Sequence, residues 1–117
     1  WRYGAAFEHD LQAMVDTLQQ LPSHPRILLA TPIPAFKPTW NINDSVLVHA
    51  ITPIIAKVAR EKHCNFIDLH QLAGLTSNDV QPDGIHPTAT GAARIAETIY
   101  PFIKQERHST STRHLPK

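Results

Sequence analysis

Apolar residues at Phe7, Leu11, Met14, Val15 and Leu18 recur at three- and four-residue steps. That spacing predicts an amphipathic helix over 7–20, with Glu8 and Asp10 near its positive end. Leu21-Pro22-Ser23-His24-Pro25 stops it. Residues 26–31 (RILLAT) are apolar on both faces, as in a strand buried within a parallel sheet, and Pro32 and Pro34 end the run. The following stretch, 35–43, is polar, proline-bearing and aromatic, and lies where a loop leaves the carboxyl end of a strand. Val46, Leu47, Ile51, Ile54, Ile55 and Val58 then trace a helical stripe to about residue 62, and Pro53 predicts one bent helix. Residues 65–69 (NFIDL) read as a second strand, with a short helical turn over 70–73. A last helix starts after Pro87, with Thr88 as its cap and Ala92, Ile95, Ala96 and Ile99 facing inward, and Pro101 limits it.

Helix, strand, helix, strand, loop, helix is the order of an α/β protein whose parallel strands are joined by right-handed crossovers. A doubly wound domain ordinarily begins on a strand, and this chain begins on a helix, so further strands are expected upstream of it. Two buried strands alone would expose apolar faces and edges that nothing in the chain covers. Residues 1–103 therefore read as the C-terminal half of one domain. Residues 104–117, rich in Ser, Thr and His, read as a polar, disordered tail.

Composition narrows the function classes. The 117 residues carry a formal net charge of +1, and the basic residues are scattered with no aromatic interleaving, which argues against nucleic acid. The longest apolar stretches fall far short of the roughly 20 residues that cross a bilayer, so no membrane span is expected. The one cysteine, Cys64, excludes an intrachain disulfide and reads as a small buried thiol beside Phe66-Ile67. Eight histidines invite a metal reading, but no H-x-x-x-H or C-x-x-C pattern supports one. The four glycines are isolated, which disfavours a phosphate-binding loop.

The chemistry concentrates in Asp83-Gly84-Ile85-His86-Pro87. An acid three residues before a histidine, on a loop ahead of a helix, can form the base half of a hydrolytic triad: His86 takes a proton, and Asp83 fixes its tautomer and steadies the imidazolium. On spacing alone the same residues suit a plain turn at Asp83-Gly84. Pro87 favours the former, because a residue before proline is pushed to extended backbone, which stands His86 off the helix. Trp40, on the loop after the first strand, either lines an acyl or sugar pocket or packs over the sheet edge. Asp44 and Ser45 read as helix capping. Asp68 and His70 close the second strand, where they either approach the site or satisfy backbone at a helix start.

With Thr88-Ala89-Thr90-Gly91-Ala92 following, this block resembles the closing motif of the SGNH (GDSL-type) hydrolases. The segments 21–27, 31–36 and 66–69 resemble the second half of bacterial carbohydrate-esterase members, some of them secreted or periplasmic. The resemblance covers residues 1–103. It implies a flavodoxin-like three-layer α/β/α fold, no cofactor, and a small-molecule ester substrate such as an acetylated sugar, with His86 as general base and Asp83 as its partner. The family's Gly-Asp-Ser nucleophile block does not occur in the chain, and neither Asn43-Asp44 nor Asn78-Asp79 fits its Gly-x-Asn-Asp block. The chain is thus expected to begin just past that block, to depend on a missing N-terminal half, and to be inactive alone. The competing expectation is a truncated, non-catalytic module of the same fold.

Overall fold

Three consecutive residues of each apolar run pair. In the computed structural model, which describes residues 1–113 and side chains through Lys104, β1 (Leu28–Ala30) and β2 (Asn65–Ile67) lie parallel with Leu28 opposite Asn65 and Ala30 opposite Ile67. Amide bonds from Asn65 to the Ile27 carbonyl (3.1 Å) and from Thr31 to the Ile67 carbonyl (3.0 Å) extend the ladder at both ends. The strands are less buried than their composition predicts: only Ile67 is fully buried, Leu28 and Leu29 are half-covered, and Ala30 is exposed.

α1 (Gly4–Gln19) starts one turn earlier than its apolar pattern suggests, and of the predicted stripe only Val15 is fully buried, while Met14 and Leu18 are exposed. It lies against α3 (Thr52–Glu61), whose Ile55, Val58 and Ala59 are buried. Two ion pairs, Lys57–Glu8 (2.9 Å) and Lys62–Asp16 (2.8 Å), run between the two helices at their solvent side.

The bend predicted at Pro53 takes a definite form. α2 (Asp44–Val46) passes into a π-helical turn, Leu47–Ile51, before α3 resumes. Proline has no N–H for the carbonyl four residues back, and the wider turn, with the Thr52 amide bonded to the Leu47 carbonyl, absorbs that mismatch without breaking the helix. The capping expectation at Asp44 and Ser45 is corrected: Asn43 is the cap, its Oδ1 accepting from the Val46 amide at 2.9 Å. Asp44 is thereby free for another role.

After β2 come α4 (Leu69–Leu72) and a 3-10 turn at Ser77–Asp79, closed by a reciprocal capping box between Thr76 and Asp79. α5 (Ala89–Arg113) covers the sheet face that carries Leu28 and Ile67, with Ile95, Ile99 and Phe102 packed against Ile67, Leu69 and Ala73. Of its four predicted inward residues, Ala92 and Ala96 are exposed. Pro101 does not end it. Glu97, whose carbonyl loses its donor there, is exposed, so water can replace that bond. Residues 104–113, where a disordered polar tail is expected, belong to α5, and residues 114–117 of that expected tail lie outside the described residues. No described helix is long and apolar enough to cross a membrane.

Candidate active site

The loop between the 3-10 turn and α5 is fixed by its own backbone. Val80 and Pro87 form an antiparallel bridge, the Gln81 amide bonds the His86 carbonyl (2.8 Å), and the Gly84 amide bonds the Gln81 carbonyl (2.8 Å). The last bond closes a tight turn over 81–84, with proline in its second position and glycine in its fourth, where sequence favours them. Gly84 has φ +77° and faces Lys37 so closely that an added Cβ would lie 2.8 Å from its backbone nitrogen. Only glycine satisfies both conditions.

Beyond the loop, Thr88 seats α5. Its Oγ1 donates to the Asp79 carbonyl (3.1 Å) and accepts from the Gly91 amide (3.2 Å), fulfilling its predicted capping role. Gly91 lets that helix end approach the 3-10 turn, since a Cβ there would lie 2.1 Å from the Asp79 oxygen.

On this frame Asp83 and His86 meet. His86 Nδ1 lies 2.6 Å from Asp83 Oδ2, while Asp83 Oδ1 accepts from the amides of Ile85 (2.9 Å) and His86 (3.0 Å). The His86 contact, reinforced by those two amides, holds the Asp83 carboxyl down at about 2, so it stays ionised through any ordinary pH. With Nδ1 engaged, Nε2 is the atom left for chemistry; no described group bonds it, and the His86 side chain is 57% exposed. The extended setting predicted from Pro87 is consistent with that exposure.

Trp40 joins them from the loop that follows β1. It occupies a turn, Thr39 to Ile42, closed by the Ile42 amide on the Thr39 carbonyl (2.9 Å), with φ +51° at Trp40 and +63° at Asn41. Asparagine tolerates that region, whereas for a bulky tryptophan it is strained. The strain sets the indole edge-to-face against the His86 imidazole, ring centroids 5.9 Å apart. Thr39, not singled out from sequence, donates its Oγ1 to the Asp83 carbonyl at 2.8 Å.

The structure also pairs two residues that the sequence left separate. His70 Nε2 lies 2.9 Å from Asp44 Oδ1, which accepts the Ala35 amide as well (2.9 Å). Burial raises the Asp44 carboxyl, but the bonds from His70 and Ala35 outweigh it and leave it below its ordinary value. His70 therefore satisfies a side chain in place of the backbone, and Asp68 Oδ1 is buried with no partner. Twenty-six residues separate Asp44 from His70, so no local pattern signals the pair. A cleft of about 330 Å³ lies beside the loop, lined in part by Phe36, Lys37, Asn78, Gln81 and Gly84, and includes neither Asp83 nor His86. Among the described residues no three His, Cys, Asp or Glu side chains converge as a metal site would require.

The model of the GDSL-like lipase/acylhydrolase family matches residues 2–94. This chain belongs to that family. Within it, the chain is 41% identical over 121 aligned positions to the acetylxylan esterase of Xylanibacter ruminicola, an alignment covering 89% of this chain and 25% of that protein. It thus spans a quarter of that relative's length. The fold is similar to the esterase domain of the ORF1 protein from the zebrafish ZfL2-1 retrotransposon, with a TM-score of 0.73 at 19% identity, over 90% of this chain and 61% of that one. The α/β fold, with parallel strands between helices, is therefore that of a GDSL-type hydrolase.

Proposed function

We propose that the chain supplies the base half of a Ser-His-Asp esterase of the GDSL type that removes short acyl groups, acetyl foremost, from carbohydrate. The observation that carries this reading is the 2.6 Å contact between His86 Nδ1 and Asp83 Oδ2, which leaves Nε2 as the proton acceptor. In the cycle, Nε2 takes the serine proton as the hydroxyl attacks the ester carbonyl. The imidazolium, steadied by Asp83, returns that proton to the departing alcohol, and water repeats the exchange to free the acid. Trp40, beside His86 and 70% exposed, is the surface on which a sugar or acyl group rests. Residues 1–103 act as one part of the hydrolase domain, with 104–117 as a polar tail.

The nucleophile comes from polypeptide outside these 117 residues, which contain no Gly-Asp-Ser. Without a serine His86 has nothing to activate, and each absent oxyanion donor removes roughly 3–4 kcal/mol of transition-state stabilisation. The cleft beside the loop also omits His86, in keeping with an acyl pocket completed from elsewhere. The acetyl preference rests on the 41% identity to an acetylxylan esterase. The test joins the chain to a Gly-Asp-Ser-bearing first half, covalently or as a second chain, and measures acetate release from acetylated xylo-oligosaccharides. Release that disappears in His86→Ala is expected. Undiminished release in that variant would sink the assignment, and no release from the joined protein would favour the non-catalytic module.

A further inference from the structure

The segment 31–43, between β1 and α2, lies as a strap across the His86 loop. It is tied there at three points: the Phe36 amide on the Gly84 carbonyl (2.9 Å), Lys37 Nζ on the Pro82 carbonyl (2.8 Å) and Thr39 Oγ1 on the Asp83 carbonyl (2.8 Å). The strap's ends are tied to one other place. The His70 amide donates to Oγ1 of Thr31, which is 2% exposed, and the His70 ring holds Asp44, whose same oxygen takes the Ala35 amide. One residue of α4, His70, thus grips both ends of the segment that presents Trp40. The grip has work to oppose, because Trp40 sits at positive φ, a strained conformation that persists only where surroundings enforce it.

We infer that His70 and Asp44 are positioning residues, whose pairing seats the strap so that Trp40 stands against the His86 ring. Lost registry there loosens the indole wall and, with it, the orientation of the imidazole. The inference rests on reading His86 as the catalytic base, but the contact it concerns can be measured without turnover. In a Trp1→Phe background only Trp40 fluoresces, and a histidine ring packed on an indole quenches it. His86→Ala should therefore brighten the chain by removing that quench.

His70→Ala and Asp44→Ala should each lose roughly half or more of the quench while keeping the helical circular dichroism, and His70→Gln, which retains a donor, should restore it. A quench undiminished in both folded alanine variants would overturn the inference. Unfolding of both alanine variants and of His70→Leu, close to histidine in volume, would overturn it too, because the pair would then hold the core and not the strap. Activity surviving in His86→Ala would instead defeat the esterase reading and leave these fluorescence results standing.

Discussion

At Asp83–His86 the carboxylate meets Nδ1 at 2.6 Å, on an imidazole side chain 57% exposed; at Asp44–His70 a carboxylate meets Nε2 at 2.9 Å, on a side chain 16% exposed. The groups are the same, and which nitrogen is engaged separates their uses. Binding through Nδ1 leaves the distal nitrogen outward, where a proton can be passed. Binding through Nε2 spends the distal nitrogen on the chain itself. The partners differ as well: Asp83 is fixed by two amides of its own loop, whereas Asp44 divides one oxygen between His70 and Ala35, two distant segments. On the proposed reading, one pair acts on something outside the chain, and the other holds two parts of it together.

The sharpest way to break this comparison is to treat both histidines alike. In the joined enzyme His86→Gln should lower kcat by about 10⁶-fold, as expected for loss of a triad base. His70→Gln, which keeps the donor, should cost only a few-fold. Equal losses would erase the distinction. Next in size is Asp83→Asn, which preserves the shape of the loop but disturbs the tautomer, and should lower kcat by about 10⁴-fold with little change in KM.

A smaller effect separates support of the loop from its chemistry. Gly91→Ala would drive a Cβ into the Asp79 carbonyl, and should destabilise the chain by about 1–3 kcal/mol in thermal melts while leaving the Asp83–His86 residues themselves untouched. An unchanged melt would mean that α5 does not seat the loop as described.

The smallest is a titration. Because the folded Asp83 carboxyl sits at about 2, below its ordinary 3.8, its contribution to stability is complete above about pH 4 and is lost only as pH falls towards 2. The carboxyl carbon of Asp83 in NMR should accordingly titrate near 2, and a midpoint near 4 would show that the pair is not formed in solution.

The same contrast explains what could be read from sequence. Asp83 and His86 are three residues apart, and the physics that joins them, a proline-led turn, a glycine at positive φ and a proline after the histidine, is local and spelled out in order. Asp44 and His70 meet because β1 and β2 pair in parallel and bring the segments that follow them together. Asp44 therefore passed for a helix cap, although Asn43 one position earlier does that work. Burial departs from composition for a related reason. Composition marks 26–31 as a buried strand, but coverage depends on neighbours beyond the periodicity of one segment, and β1 is half-covered with Ala30 exposed. Pro101 reads as a stop from its missing donor and its ring clash, yet α5 continues through it where the Glu97 carbonyl is exposed and open to water. The place of Trp40 lay between these extremes. Its loop was legible, but the strained turn that aims it at His86 was not, since nothing in Thr39-Trp40-Asn41-Ile42 favours positive φ at the tryptophan.

That His86 activates a serine lying outside these 117 residues can be tested most directly by labelling the joined enzyme with a fluorophosphonate. Rapid labelling of a single serine outside this chain, abolished by His86→Ala, is expected. Labelling at an unchanged rate in that variant, or on a serine of this chain such as Ser45 or Ser77, would contradict it.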